Sequence, residues 1–170
     1  MKGTKRLAVL AMFTAIALTI FVAEAQIPPI VPIPGVKLGL ANIVTLIAMA
    51  LLGRRQAGEI LLVRIVLGSM FTGGVSAMLF SIAGGVFAYL IMCLTIHRFP
   101  GRLLWVVSVL AAFGHNAGQL LVAVWVTGTP SILVYAPALV AASVITGAFT
   151  GAAAMYLVRA LRKTGHFPQT

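Results

Sequence analysis

The chain has 170 residues, of which 61% are hydrophobic and only 8% are charged. A soluble domain of this size and composition would have a mostly apolar surface, so the composition indicates an integral membrane protein without a separate soluble domain. The formal net charge of +10 does not indicate nucleic-acid binding, because the basic residues cluster beside apolar runs, as membrane topology requires.

Apolar runs predict an all-α protein, and its length allows about six spans of ~20 residues. The first run has a basic head and ends in the sequence AEA at 23–25, which also fits a cleaved signal peptide. We favour an uncleaved helix, because Lys2, Lys5 and Arg6 would otherwise lose their role in topology. The predicted helices cover residues 7–23, 38–52, 56–71, 75–96, 103–126 and 132–158.

The basic residues fall on one side of the membrane if the chain crosses it six times. They precede helix 1, join helices 2 and 3, join helices 4 and 5, and follow helix 6, while the opposite side has only Lys37. The positive-inside rule then predicts that both termini are cytoplasmic. We therefore expect a single transmembrane domain over residues 1–170, a six-helix bundle that is multi-pass in a cell membrane.

The connection between helices 1 and 2 is rich in proline and glycine, with the sequence IPPIVPIPGVKLGLANIVTL at 27–46. Prolines remove backbone donors and favour extended geometry. The free N–H groups at the start of helix 2 attract anions, and Lys37 adds a positive charge there. One interpretation is a plain outer loop; the other, which we predict, is an ordered non-helical flap at 26–37 over an outward-facing cavity.

Arg64 stands within helix 3, ~12 Å from its cytoplasmic end at ~1.5 Å per residue. A charge near the centre of the bilayer costs ~2.5–3.5 kcal/mol on insertion scales. The side chain therefore either faces a partner or a wet cavity, or it extends to the cytoplasm and neutralises Glu59.

Helix 5 carries three polar residues in the sequence FGHNAGQLL at 113–121. Their spacing places them on one face near the middle of the helix, between small glycines. Hydrogen bonds between helices explain such residues, and so does a ligand site. We predict a small-molecule site lined by Glu24, Lys37, Asn42, Arg64, His115, Asn116 and Gln119.

Four segments together resemble a known family. They are PGVKLGLANIVTL at 34–46, SIAGG at 81–85, GHNAGQL at 114–120, and the pair YAP and TGAFTG within 135–151. On these, the chain resembles a bacterial membrane family labelled heptaprenyl diphosphate synthase component I, or Gx transporter family. The resemblance covers nearly the whole chain and implies a location in the bacterial cytoplasmic membrane.

That family is similar to the S components of energy-coupling factor transporters, which bind substrate in small six-helix bundles. The resemblance implies a role as the substrate-binding subunit of such an uptake transporter, for a small hydrophobic or anionic substrate. It also implies that Ala11 and Ala15 on helix 1 contact a coupling transmembrane subunit, which works with ATPase subunits.

The other label implies a membrane partner of a polyprenyl diphosphate synthase. Prenyl chain elongation needs Mg²⁺ held by clustered aspartates, but this chain has no aspartate, and Glu24 and Glu59 lie toward opposite faces. It has no ATP-binding glycine-rich loop either. We therefore expect no enzyme activity, no cofactor and no metal; a proton-coupled carrier using Glu24 and His115 is a further alternative.

Overall fold

The computed structural model describes residues 3–28, 37–72, 74–99, 101–165 and 167. Within these ranges the protein consists of α-helices and short 3₁₀ helices, and no strand is present. The 3₁₀ helices Gly101–Leu103 and Pro130–Tyr135 precede the last two α-helices. The six α-helices are α1 Gly3–Glu24, α2 Asn42–Leu51, α3 Arg54–Thr72, α4 Gly74–Thr95, α5 Leu104–Thr127 and α6 Ala136–Lys163.

Several of these helices are suited to a lipid environment. Many large apolar side chains point away from the bundle, including Met70, Val75 and Phe149, each more than 70% exposed. Soluble monomers rarely expose so much contiguous apolar surface. The described chain is thus that of a multi-pass membrane protein. Four segments are long and apolar enough to span a membrane: Gly3–Glu24, Gly74–Thr95, Gly101–Thr127 and Pro130–Lys163.

The second helix differs from the prediction of a span over 38–52. With 10 residues, α2 is ~15 Å long, about half of the ~30 Å hydrocarbon core. It begins late because Gly39 has a positive φ of 79°, which an α-helix does not accommodate. The chain returns from α2 into α3 at Gly53, so the first residue of α2 lies beside the middle of α3 rather than at its end.

Basic connections gather at one end of the bundle. Arg6 at the start of α1 forms a salt bridge with Glu59 of α3, with 3.0 Å between Nη2 and Oε2. Near the end of α6, Arg162 donates to the main-chain oxygen of Ala50 at 3.2 Å. The start of α1, the α2–α3 turn and the end of α6 therefore lie together, and which side of the membrane they face remains a prediction.

Small residues allow close packing of α4, α5 and α6. A Cβ atom built on Gly118 would lie 2.7 Å from the main-chain oxygen of Ala83 on α4. One built on Gly147 of α6 would lie 2.6 Å from the Cα of Val109. These backbones approach so closely that no larger side chain fits.

Candidate functional site

A cluster of polar side chains is buried where the first residues of α2 meet α1, α3 and α5. It contains six of the seven residues that the sequence predicted for a ligand site. We call it the buried polar cluster: Glu24, Lys37, Asn42, Arg64, His115 and Gln119.

The turn between α2 and α3 brings Asn42 and Arg64 together. Each lies eleven residues from Gly53, whose φ of 102° allows the tight reversal of the chain. The two helices therefore run antiparallel with these residues at the same height. Arg64 Nη2 donates to Asn42 Oδ1 at 3.4 Å, and Arg64 is only 2% exposed. The sequence alternative in which Arg64 pairs with Glu59 is not what the structure has.

Asn42 also forms a hydrogen bond with α5. Because its Oδ1 accepts from Arg64, its amide nitrogen is the donor toward His115 Nδ1, 3.0 Å away. His115 Nδ1 is then an acceptor, and the imidazole proton lies on Nε2. The side chains of α2, α3 and α5 thus form one chain of hydrogen bonds.

Two glycines make room for the His115 ring. A Cβ atom on Gly39 would lie 2.7 Å from His115 Cδ2, and one on Gly84 of α4 would lie 2.6 Å from His115 Nδ1. Real Cβ atoms do not approach so closely, so both positions need glycine for space. Gly84 belongs to the SIAGG segment, and its place beside His115 could not be inferred from sequence spacing.

Glu24, the last residue of α1, supplies the anion at the start of α2. Its Oε1 accepts from the backbone N–H of Gly39 at 2.6 Å, and the N–H groups of Leu40 and Ala41 also interact with this carboxylate. Free N–H groups and the helix dipole favour a negative charge there. The anion-attracting position predicted from the sequence is therefore occupied by the protein's own carboxylate.

Phe21 lies next to both cations of the cluster, and the sequence analysis did not identify it. Lys37 Nζ is 3.7 Å and Arg64 Cζ is 5.2 Å from the ring centroid, within the range of cation–π attraction. Its position three residues before Glu24, on the same helix face, was the available signal. Gly68 leaves space for the ring, since a Cβ there would lie 2.6 Å from Phe21 Cε1.

Lys37 lies between α1 and α2 and joins the cluster through both its main chain and its side chain. Its N–H donates to Gln119 Oε1 at 3.1 Å. Burial lowers the pKa of the Lys37 amine, the carboxylate of Glu24 opposes this effect, and the charge of Arg64 reinforces it. The Nζ atom of Lys37 is buried, so this side chain does not extend into bulk water.

The charges within the cluster do not balance. Lys37 and Arg64 face a single carboxylate, Glu24, and the other acidic side chain of the sequence, Glu59, is bound by Arg6 and Arg55 at the basic end. Residues 29–36 contain no ionisable side chain. Among the described residues, Lys37 Nζ and Arg64 Nε are buried without a hydrogen-bond partner. With both basic side chains protonated, the cluster has two cations and one carboxylate.

Asn116 departs from the predicted grouping. Its amide nitrogen donates to the main-chain oxygen of Leu139 at 3.1 Å and to Ser143 Oγ at 2.8 Å, both on α6. It therefore connects α5 to α6, while His115 and Gln119 face the cluster. One position along a helix turns a side chain by about 100°, which separates Asn116 from His115.

The remaining predicted features are only partly visible. Most of the predicted flap, residues 29–36, lies outside the described residues. A void of ≈10 Å³ borders Gly39 and Asn42, about the volume that a single water occupies.

Ala11 and Ala15 lie on the exposed face of α1, and their docking role stays a prediction. In the described part of the chain, no group of three or more His, Cys, Asp or Glu residues is placed to hold a metal.

Comparison with known proteins identifies one family. A sequence model of the family described as heptaprenyl diphosphate synthase component I matches residues 13–157, which is most of the chain. This range includes the whole buried polar cluster. No curated protein and no solved structure gives a significant match.

Proposed function

The chain belongs to the heptaprenyl diphosphate synthase component I family, and we propose that it is the substrate-binding S component of an energy-coupling factor type uptake transporter. The proposal includes a single transmembrane domain over residues 1–170, with six crossings and both termini in the cytoplasm. The location is the cytoplasmic membrane of a bacterium.

The excess positive charge of the buried polar cluster carries this proposal. Lys37 and Arg64 share one carboxylate, and the sequence offers no second one nearby. An uncompensated charge at bilayer depth costs several kcal/mol, so the site favours a partner with one negative charge. A small anionic substrate with an apolar body fits this arrangement, since the Phe21 ring lies next to both cations.

In this proposal, Glu24 and the two cations have different roles in substrate binding. Glu24 holds the first residues of α2 in place, which leaves Arg64 Nε and Lys37 Nζ to donate to the substrate anion. His115, Asn42 and Gln119 orient the cations and the backbone around them. Because these side chains contact one another, substrate entry requires the cluster to open, and the segment over 26–37 is the proposed flap.

Transport by such a subunit requires partners. In this proposal a coupling transmembrane subunit docks on the exposed face of α1 at Ala11 and Ala15, and soluble ATPase subunits supply the energy. The chain itself has no ATP-binding glycine-rich loop. In this proposal the chain binds the substrate, and the partner subunits hydrolyse ATP.

The family description favours a second candidate, a non-catalytic membrane partner of a polyprenyl diphosphate synthase. In that role the chain would bind a soluble synthase rather than a coupling subunit. The chain has no aspartate to hold the Mg²⁺ that prenyl transfer uses. Catalysis would therefore reside in the synthase.

Native mass spectrometry of the full chain, purified from membranes in a mild detergent, tests the first proposal. The wild type and Arg98→Gln, a control at the basic end, should carry the same small anionic molecule. Arg64→Gln should lose it, while its unfolding temperature shows whether the bundle is intact. Equal retention by a folded Arg64→Gln would exclude the cluster as the site.

Copurification separates the two candidates. A coupling subunit and ATPases in the purified complex would support the transporter. A polyprenyl synthase without them would support the second role.

A further inference from the structure

A deep groove opens at the basic end of the bundle, far from the buried polar cluster. It has a volume of ≈1160 Å³ and lies between the α2–α3 turn, the α4–α5 connection and the end of α6. Pockets that hold drug-sized ligands have ~300–1,000 Å³, so this groove has room for a sizeable molecule.

Four arginines surround this groove: Arg54, Arg102, Arg159 and Arg162. None of the described residues that line it is acidic, and Glu59, the carboxylate of this end, is engaged by Arg6 and Arg55. The described residues that line the groove therefore contribute four positive charges and no negative one. Guanidinium groups bind phosphate oxygens in a bidentate manner, so four of them match two phosphates.

The floor of the groove is apolar. Met49, Leu104 and Val158 line it and belong to the buried core of the bundle. Arg162 is anchored beside this floor because its Nη2 donates to the main-chain oxygen of Ala50. A soluble anion would contact the arginines alone. A molecule with both phosphates and a hydrocarbon chain would contact the arginines and the apolar floor.

We propose that this groove binds an anionic membrane lipid whose head group carries two phosphates. The phosphates lie among the arginines, and part of an acyl chain covers the apolar floor. Basic pockets between transmembrane helices on the cytoplasmic side bind lipids of this kind. The site is independent of the substrate cluster and holds for either role of the chain.

Lipid retention by the purified full chain tests this site. The chain is reconstituted in nanodiscs of phosphatidylcholine with a few per cent of cardiolipin, which has two phosphates, or of phosphatidylglycerol, which has one. Native mass spectrometry then counts the lipids that stay bound after release from the disc. The test variant is Arg102→Gln/Arg159→Gln, which leaves the anchored Arg162 intact. The control Arg98→Gln/Lys163→Gln removes the same charge from the same end, outside the groove.

The wild type and the control should retain cardiolipin in preference to phosphatidylglycerol. The test variant should bind it more weakly by about tenfold or more, because hydrogen bonds to charged groups contribute at least that much. Equal loss in both variants would show that only the net charge of this end matters and would overturn the site. Complete displacement of cardiolipin by millimolar inorganic diphosphate would overturn the lipid as its occupant.

Discussion

The carboxylate of Glu24, at the end of α1, accepts a hydrogen bond of 2.6 Å from the backbone N–H of Gly39, ahead of α2. The two residues lie on either side of the proline-rich connection, so this bond closes the loop between the first two helices. It also places a negative charge at the start of a half-length helix and next to two cations. The stability of the cluster therefore depends on one carboxylate.

The two glutamates of the chain allow a matched test of this dependence. Glu24→Gln should lower the free energy of unfolding by about 3–5 kcal/mol, because it leaves two buried cations without a counter-charge. Glu59→Gln removes two part-exposed salt bridges, to Arg6 at 3.0 Å and to Arg55 at 3.3 Å, and should cost about 0–1 kcal/mol. Unfolding in detergent, followed by circular dichroism, measures both. Similar small losses would show that Glu24 does not neutralise the cluster.

Two glycines with positive φ allow the effect of backbone strain to be measured apart from the effect of a steric clash. Gly39 and Gly74 have φ of 79° and 75°, so alanine at either position costs about 1–2 kcal/mol in backbone strain. Only at Gly39 would the added Cβ meet a side chain, since nothing lies within 4 Å of a Cβ at Gly74. Gly39→Ala should therefore lower the unfolding temperature more than Gly74→Ala and should weaken ligand retention. Equal effects would mean that His115 moves aside freely.

Membrane topology is predicted from the one-sided distribution of basic residues. Reporter fusions after Pro130 should report the outside, and fusions after Thr170 should report the cytoplasm. These fusions test the side of the C-terminus and of the α5–α6 connection, but not whether α2 and α3 cross, because a hairpin of α2 and α3 that did not cross the membrane would return the chain to the same side. A cytoplasmic signal after Pro130 would contradict the six-crossing prediction, and an N-terminus at Gln26 would reveal signal cleavage.

The exposed face of α1 is the predicted docking surface. Ala11→Leu/Ala15→Leu should leave the unfolding temperature unchanged and abolish copurification of a coupling subunit, because larger side chains prevent close approach of helices. Ala138→Leu/Ala141→Leu provides a control of equal size on the exposed face of α6. Loss of folding in the α1 variant alone would assign these alanines to internal packing.

The sequence was sufficient for the helical class, the membrane setting and the family, because composition and apolar run length are properties of each segment alone. It also identified Arg64 and His115 correctly as residues that cannot face lipid without a partner, since the cost of a buried polar group does not depend on the fold. The sequence also predicted the basic end, because most of the basic residues lie in the connections between the apolar runs.

Tertiary structure decided which polar residues meet. The sequence grouped Asn116 with His115, but the packing of α5 against α6 directs Asn116 to Ser143 and leaves His115 toward Asn42. Only the fold revealed that Phe21 contacts two cations and that four arginines line one groove. Periodicity within a helix determines which residues share one face of it. Which helix packs against that face depends on the tertiary structure, and close backbone approach at glycine determines this packing.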